Sequence, residues 1–291
     1  MDISFKQKIN DSGKIKISLI LATLGRDDEV DLFLKSLIIQ SYKLFELIII
    51  DQNYDDRVCR IYEKYKEHIN IKYIKSSVKG LSYNRNIGLQ DVSGDIVAFP
   101  DDDCEYDPMT LEKVMIFFNK NPDYSFYTCN TKERQSELSI LSNKLDDTLI
   151  SVKNVMYTGI SFTIFIRSEK IRDFRFDESL GVGAEFGSGE ESDLLFFLLK
   201  NKNKGFYHSK DFIFHPHKTD TAEKAYQYGK GYGAIHKKAI VKYGFYIFII
   251  FFMITLFKEA VKMCIYPHSA ERVSTMRGRI YGFLHYKLKN T

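Results

Sequence analysis

GDIVAFPDDD, residues 94–103, is a short apolar run that ends in three consecutive aspartates. Residues 96–99 are β-branched, small or aromatic, which is typical of a buried strand. Pro100 has no amide hydrogen to donate to a sheet, so we expect the strand to end there. The carboxylates of residues 101–103 repel one another unless a positive group lies among them. Either they bind a divalent cation such as Mg²⁺ or Mn²⁺, which prefers oxygen ligands, or they form an exposed acidic turn before the next helix.

The composition is typical of a globular protein and excludes a disordered chain. The 291 residues suit one large α/β domain or one domain with an appendage, and 27% of them are charged while 44% are hydrophobic. The four cysteines lie far apart without the spacing of a metal site, which favours a reducing compartment. Residues 1–14 are polar and lack the apolar core of a signal peptide, so we expect no such peptide.

Charge is distributed unevenly along the chain. Residues 221–291 contain twelve Lys and Arg against three Asp and Glu, whereas the rest of the chain contains 30 basic and 35 acidic residues. A basic C-terminal region on an acidic-to-neutral body is typical of a protein that meets an anionic surface. Because these basic residues accompany an apolar run and no nucleic-acid-binding module, we expect no nucleic-acid partner.

Apolar runs alternate with helical patterns through the first 105 residues. Strands are predicted at 16–22, 45–50, 71–74 and 96–99, with helical patterns at 30–39, 58–65 and around 84–86. This alternation predicts an α/β fold with a mainly parallel sheet and helices on both faces. No GxGxxG follows the first strand and no GxxxxGK[ST] occurs, which excludes the dinucleotide-binding fingerprint and the P-loop.

Polar residues follow these predicted strands, at the sheet edge where open α/β sheets bind ligands. Thr23 ends the first strand, and Asp51 ends the second, where it either hydrogen-bonds a nucleoside or caps the next helix. Arg85 lies in the first turns of a helix that follows a glycine turn. It either contacts a diphosphate and the carboxylates or is an ordinary surface arginine.

The order of these motifs resembles that of family-2 glycosyltransferases of the GT-A fold, of the type that builds bacterial surface polysaccharide. The resemblance covers about residues 15–240. It implies that Asp51 contacts the uracil of a UDP-sugar and that Asp101 and Asp103, the outer residues of a DxD motif, bind the divalent cation and the donor. It also implies that Arg85 lies near the donor. With Thr23 and Asp102, these residues form the predicted donor site.

The second half of the chain supplies the predicted acceptor residues. A helix is predicted at 107–119, a strand at 124–129, a loop at 132–148 and strand-like structure at 154–166. Residues 181–189 contain four glycines, which predict either a flexible loop or a loop that another group approaches closely. A helix is predicted to start at Glu190.

Carboxylates at 190, 191 and 193 suit the positive start of that helix, which is one interpretation of them. The other is a general base that takes the proton of an acceptor hydroxyl while a metal holds the leaving diphosphate. The segment resembles the family's FDE…G…GE[ED]xDL signature. That resemblance implies Glu191 as the base, with Glu190 as the second choice, and Asp193 as a residue that caps or braces the helix.

Two histidines follow a late strand and are either structural or, as the family resemblance implies, metal or diphosphate contacts. His215 fits that role best by position, and His217 is second.

The C-terminal region combines a glycine-containing segment with an apolar one. Residues 225–234 resemble the Tyr-x-x-Gly-x-Gly-x-Gly helix of bacterial family members, and their three glycines predict close packing or a turn. Residues 245–257 are uncharged but shorter than the about 20 residues that span a bilayer, and basic residues flank them. They form a helix that lies at the membrane interface, spans the membrane or packs in the protein core. We favour the interfacial helix, because an acceptor carried on a membrane lipid would explain why the protein contacts the membrane.

Together these observations predict a GT-A domain at 15–220, with a donor half at 15–105 and an acceptor half at 106–220, and a membrane-associating region at 221–291. The predicted activity is inverting and metal-dependent. It moves a hexose or N-acetylhexosamine from a nucleotide-sugar, with UDP favoured, to a lipid-linked oligosaccharide. The expected location is the cytoplasmic face of the bacterial plasma membrane, peripheral or monotopic. The alternatives are a nucleotidyltransferase and a non-catalytic polysaccharide- or membrane-binding relative.

Overall fold

The computed structural model of the chain describes residues 14–134, 145–216, 221–266 and 269–288. The polar N-terminal segment, residues 1–14, for which we expect no signal peptide, lies almost wholly outside the described residues. So do much of the predicted loop at 132–148 and the whole of His217.

Eight strands form a single mixed sheet. They are β1 (Ile17–Thr23), β2 (Phe45–Asp51), β3 (Ile71–Lys75), β4 (Ile96–Ala98), β5 (Phe126–Lys132), β6 (Thr148–Ile150), β7 (Ile164–Arg167) and β8 (Gly205–Phe214). Their order is β3-β2-β1-β4-β7-β5-β8-β6. β7 runs antiparallel to β4 and β5, and β6 runs antiparallel to β8, while the remaining pairs are parallel. The predicted mainly parallel sheet is confirmed, and β4 ends before Pro100 as expected.

Helices cover both faces of this sheet. They are α1 (Asp28–Ile38), α2 (Arg57–Tyr65), α3 (Leu81–Leu89), α4 (Thr110–Lys120), α5 (Glu190–Lys200), α6 (Ala222–Val241), α7 (Ile247–Ile265) and α8 (Ala270–His285). In β2, Leu47 and Ile49 pack into a core with α1, α2 and α4, whereas Ile48 and Ile50 join a second core with α5 and α6. Because successive side chains of a strand point to opposite faces of the sheet, β2 contributes side chains to both hydrophobic cores.

The strand-like structure predicted at 154–166 was mostly wrong. Residues 155–157 and 161–163 form two 3-10 turns, and only β7 is extended. The reason is local, because hydroxyl groups bond to nearby backbone there. Thr158 Oγ1 donates to the Val155 carbonyl at 3.3 Å, and Thr163 Oγ1 donates to the Ile160 carbonyl at 2.9 Å. Such bonds offer the backbone an alternative to a sheet ladder.

The glycines of the C-terminal region allow α6 and α8 to pack backbone against backbone. A Cβ on Gly233 would lie 2.0 Å from the Arg279 carbonyl oxygen, and one on Gly282 would lie 1.9 Å from that of Lys230. The predicted close packing is therefore confirmed. Within the described ranges, no helix has the length and apolar character needed to cross a membrane.

A buried ion network joins α6 to the start of α5. Lys238 Nζ on α6 lies 2.7 Å from Asp177 Oδ2 and 2.8 Å from Asp193 Oδ2, and its side chain is 3% exposed. The hydroxyl of Tyr243 donates to Asp193 Oδ1 at 2.7 Å, and that of Tyr286 donates to Asp177 Oδ2 at 2.5 Å. One lysine thus pairs with two carboxylates, of which Asp193 is buried and Asp177 largely so.

Replacing Lys238 with Met should lower the free energy of unfolding by about 3 kcal/mol or more, because it leaves buried carboxylates without a cation. Burial alone would raise the pKa of Asp177, but Lys238 lowers it below its usual range. The stability that this ion pair contributes is present above the unfolded-state pKa of about 4 and is lost as the pH falls through the depressed folded-state pKa. Urea denaturation from pH 7 down to pH 3 measures both effects.

The matched control is Lys242→Met, which removes an exposed lysine from the end of the same helix. We expect that variant to stay within about 0.5 kcal/mol of the wild type. Equal stability losses in the two variants, or a Lys238→Met loss that does not shrink in acid, would contradict the assignment.

Candidate functional site

Polar residues from four elements meet at the carboxyl edge of the parallel strands. Thr23 at the end of β1 donates its hydroxyl hydrogen to Asp102 Oδ2 at 2.8 Å, although 79 positions separate the two in the chain. β1 and β4 are neighbours in the sheet, so the segments that follow them emerge side by side. The edge where the sequence predicted ligands therefore carries the aspartates.

Asp101, Asp103 and His215 form a cluster that could hold a divalent cation. One potential ligand atom from each lies within 4.8 Å of the others. His215 Nε2 lies 3.0 Å from Asp103 Oδ1, and the imidazole stacks on Phe162 with ring centroids 4.6 Å apart. The imidazole Nδ1 is buried without a hydrogen-bond partner among the described residues. Two carboxylates and an imidazole are suitable ligands for a divalent metal, so the residues present fit such an ion.

Arg26 lies among these carboxylates and was absent from our predicted site. Its Nη1 is 2.5 Å from Asp103 Oδ2 and 3.0 Å from Asp102 Oδ1. It follows Gly25, whose φ of +77° turns the chain at the end of β1. A signal was available, because a basic residue after a glycine at the carboxyl end of a strand is well placed for anions.

Arg85 on α3 bridges the two halves of the site. Its Nη2 lies 3.0 Å from Asp101 Oδ1 and its Nη1 lies 3.1 Å from Glu190 Oε1, while the side chain is only 1% exposed. The guanidinium also lies over the rings of Phe99 and Phe176, 5.7 Å from each centroid. The surface-arginine interpretation is therefore wrong, and the buried cation is held by two carboxylates and two aromatic faces.

Burial makes the aspartate cluster hard to ionise without a cation. It raises the pKa of Asp101, an effect that Arg85 and His215 oppose. It also raises the pKa of Asp102 to about 6, against the opposing charge of Arg26. Because desolvation disfavours the charged carboxylates, a cation that entered this site would stabilise their ionised forms.

Asp51 ends β2 directly beside Thr23, with which it is in register. Its carboxylate is fully buried and accepts four hydrogen bonds. Two come from Asn53, at 2.8 Å from the backbone amide and 2.7 Å from the side chain, and Tyr73 and Lys75 donate the others at 2.7 and 2.8 Å. The structure thus places Asp51 next to the site with its oxygens already engaged, and contact with a nucleobase stays a prediction.

The two candidate bases differ sharply in their surroundings. α5 begins after Gly189, whose φ is +99°, and its first residue, Glu190, is buried against Arg85. The next residue, Glu191, is half-buried, and within the described part of the chain no cationic side chain forms an ion pair with it. Burial, followed by the charge of Glu190, raises the pKa of Glu191 well above its usual value. Asp193, by contrast, braces the helix through Lys238.

A cavity of about 670 Å³ opens over these carboxylates. Asp101, Glu190 and Glu191 line it, together with residues of α6, α7 and α8. The structure therefore brings together Thr23, Arg85, the three aspartates, both glutamates and His215, as predicted from their positions after strands and before helices. His217 lies outside the described residues, so its assignment stays a prediction.

Other residues of the site carried no readable signal in the sequence. Ser161 donates its hydroxyl hydrogen to Asp101 Oδ1 at 3.3 Å, and Phe162 stacks on His215. Both belong to a 3-10 turn far from either partner in the chain. Only the antiparallel placement of β7 between β4 and β5 brings this turn to the site.

Comparison with known proteins identifies the family. Residues 18–181, more than half of the chain, match the family described as Glycosyl transferase family 2. A relative from Campylobacter jejuni named GalNAc(5)-diNAcBac-PP-undecaprenol beta-1,3-glucosyltransferase is 30% identical over 205 residues, which is 68% of this chain and 63% of that protein. The chain therefore spans less than two thirds of that relative's length.

Solved structures confirm the GT-A fold. Staphylococcus aureus TarS 1-349 in complex with UDP-GlcNAc superposes with a TM-score of 0.64 at 18% identity, covering 78% of this chain and 67% of that one. A mannosyltransferase from Pyrobaculum calidifontis, in complex with GDP-Man and Mn²⁺, superposes with a TM-score of 0.65 at 11% identity, covering 95% of this chain and 89% of that one. The protein belongs to glycosyl transferase family 2.

Proposed function

We propose that the protein is an inverting, divalent-metal-dependent glycosyltransferase. It moves a hexose or N-acetylhexosamine from a nucleotide-sugar, with UDP favoured, to a lipid-linked saccharide in the synthesis of surface polysaccharide. One observation carries the proposal: Asp101, a member of the candidate cation cluster with Asp103 and His215, lines the same cavity as Glu191. Buried Arg85 joins Asp101 to Glu190, the neighbour of Glu191 in the chain.

The names of related proteins support both substrates. The Campylobacter relative is named for an acceptor linked through a diphosphate to undecaprenol. The TarS structure contains UDP-GlcNAc, and the Pyrobaculum structure contains GDP-Man with Mn²⁺. We carry a nucleotide-sugar donor and a lipid-linked acceptor over to this chain as parts of the proposal.

The metal would be held by Asp101, Asp103 and His215. When bound, such an ion neutralises the negative charge of a diphosphate leaving group. Arg85 holds Asp101 in place through its 3.0 Å contact, and Phe162 holds the imidazole of His215 flat against its own ring. Thr23 and Arg26 fix Asp102, which orients the loop that carries all three aspartates.

Glu191 is the base in this proposal, and Glu190 is its positioning neighbour. Both glutamates line the cavity, but one oxygen of the Glu190 carboxylate is already paired with Arg85, whereas no ion pair with Glu191 is seen among the described residues. A carboxylate whose pKa is raised by burial holds an abstracted proton more firmly than an exposed one does. Because the base must be deprotonated before it acts, activity rises with pH through that raised pKa.

Membrane contact is the second part of the proposal, and α7 supplies its surface. Large apolar side chains of this helix are exposed, among them Phe257 at 71% and Met253 at 60%. The others that lie in α7 are Ile249, Ile250, Ile254, Val261 and Ile265. An exposed apolar face flanked by lysines and arginines suits the boundary of an anionic bilayer. We place this face on the cytoplasmic leaflet of the bacterial plasma membrane, where a lipid-linked acceptor would be reached.

A panel of nucleotide-sugars, incubated with Mn²⁺ and an undecaprenyl-diphosphate-linked saccharide, tests the reaction. We expect one UDP-sugar to release UDP and to yield a product with inverted anomeric configuration. Glu191→Gln should lower kcat by about 100-fold or more, because general acid–base catalysis contributes about 10²–10⁴-fold. It should leave donor binding nearly unchanged.

Glu178→Gln is the control, because Glu178 lies on the same segment outside the cavity lining. Normal turnover by Glu191→Gln would reject Glu191 as the base. Release of pyrophosphate in place of UDP would show the rival nucleotidyltransferase, and no turnover with any donor would favour the non-catalytic relative.

His215→Ala should weaken Mn²⁺ binding in the presence of UDP by about tenfold or more, since it removes one of the three cluster ligands. Electron paramagnetic resonance of free Mn²⁺ measures this directly. His208→Ala is the matched control, because that histidine contacts Asp147 and Asp211 at 3.5 Å and lies outside the cluster. Equal Mn²⁺ affinity in all three proteins would contradict the metal site.

Replacing Ile250 and Phe257 together with Glu should abolish flotation with vesicles that contain phosphatidylglycerol, because charge on this face opposes its burial in lipid. Leu149→Glu, at an equally exposed leucine on β6, should float like the wild type. Unchanged flotation of the double variant would reject α7 as the membrane-contacting element.

A further inference from the structure

The C-terminal helices place a second cationic group inside the cavity that holds the candidate base. Arg272 and Arg279 on α8 line the cavity, as does Glu259 on α7. These residues line the same cavity as Glu191, and they are separate from the cluster around Asp103 that we assign to the donor. We refer to Arg272, Arg279 and Glu259 together as the arginine side of the cavity.

The arginine side has more positive charge than its carboxylate can satisfy. Glu259 Oε1 lies 3.3 Å from both Arg279 Nη1 and Lys262 Nζ, and Oε2 lies 3.8 Å from Arg272 Nη1. Three cations therefore share one largely buried carboxylate, and among the lining residues of α7 and α8 the only other acid is the exposed Glu271. Counted with Lys262, which lies outside the lining, the three cations exceed these two carboxylates by one.

Arg279 in particular has unused donors. Its side chain is 16% exposed, and its Nε and Nη1 are buried without a hydrogen-bond acceptor in the described part of the chain. The contact with Glu259 is thus an ion pair without a well-aligned hydrogen bond. The guanidinium lies over the ring of Tyr232, 4.6 Å from its centroid, which holds it toward the cavity. Arginine donors left unused in this way suit the oxygens of a phosphate.

The backbone around Arg279 is held in a fixed position. Its own carbonyl is the atom that a Cβ on Gly233 would meet at 2.0 Å, so α8 lies directly against α6 at this point. The N-terminal part of α8 also lines the cavity, through the N-cap residue Ser269 and through Arg272 and Thr275. A helix start carries partial positive charge, which adds to the attraction for an anion.

We infer that Arg272 and Arg279 bind the diphosphate of the acceptor, while the reacting sugar hydroxyl lies toward Glu191. The inference rests on the proposed function and specifies its acceptor. A neutral saccharide offers the two arginines only hydroxyl oxygens, whereas a prenyl-diphosphate-linked saccharide supplies an anion that forms charge-assisted hydrogen bonds with them. Its lipid would leave along the exposed apolar face of α7, the helix that carries Glu259.

Isothermal titration with farnesyl diphosphate tests the site, using the full chain with UDP and equimolar Mn²⁺ already bound. We expect Arg279→Gln and Arg272→Gln each to weaken binding about tenfold or more, since each removes charge-assisted hydrogen bonds to the diphosphate. Glu259→Gln should strengthen binding, because it removes the carboxylate that competes with phosphate for the arginines. If Glu259 had only a structural role, its replacement would not raise the affinity for farnesyl diphosphate.

The controls separate this inference from its alternatives. Arg277→Gln removes an exposed arginine of α8 that lies outside the cavity lining and should bind like the wild type. Farnesol, which lacks phosphate, should bind all variants alike. Unchanged farnesyl diphosphate affinity in both arginine variants would overturn the inference, and so would an equal loss with farnesol. A loss seen only with phosphatidylglycerol vesicles would also overturn it, because the arginines would then contact lipid headgroups.

Two further readouts keep the outcome decisive. If the wild type binds no UDP with Mn²⁺, the proposed donor function fails. If it binds UDP, but the affinity for farnesyl diphosphate is the same in the wild type and the arginine variants, only this inference is rejected. If Arg279→Gln loses its thermal transition, Arg272→Gln decides, because that side chain is 33% exposed and its replacement disturbs less packing.

Discussion

The buried guanidinium of Arg85 is the contact on which the site depends. It lies between Asp101, which follows β4, and Glu190, which begins α5, and these carboxylates come from the two halves of the chain. Removing a charge pair from water is costly unless both partners are well placed, and losing one partner costs more than the pair contributes. Arg85 therefore holds the aspartate loop and the start of α5 at one separation, which an enzyme acting on two substrates at once requires.

The start of α5 is held from its other side by the C-terminal region. A Cβ on Gly231 of α6 would lie 2.3 Å from the Ser188 carbonyl oxygen, so α6 packs directly on the glycine-containing loop before Glu190. Lys238, two turns further along α6, pairs with Asp193 of α5. The region that the sequence set apart as a membrane appendage is thus also a structural support for the candidate base. The domain boundary predicted at residue 220 stays a prediction.

Helix α7 has two faces with different tasks. Glu259 points inward to the arginines of α8, while Phe257 and Met253 are exposed on the outside. Helical periodicity allows a charged residue and an apolar stripe to coexist only when they point in different directions. The apolar run in the sequence showed the stripe, but it gave no indication that the helix also closes a cavity.

The sequence by itself determined the order of strands and helices through the first 105 residues, the family, and the positions of Thr23, Asp51, Arg85, the aspartates and the glutamates after strands or before helices. These features are local, because strand periodicity and a run of carboxylates depend only on residues that are close together in the chain. Arg26 could have been included on the same reasoning, since it follows a glycine at the end of β1.

Only the tertiary structure decided which side chains meet. The antiparallel β7 brings Ser161 and Phe162 to Asp101 and His215, and local hydroxyl bonds turn the segment before it away from the predicted strand. The packing of α6 on α8 places Arg279 in the cavity of Glu191. These contacts join residues tens of positions apart, and the free energy of each depends on burial and on a specific partner, neither of which a single stretch of sequence contains.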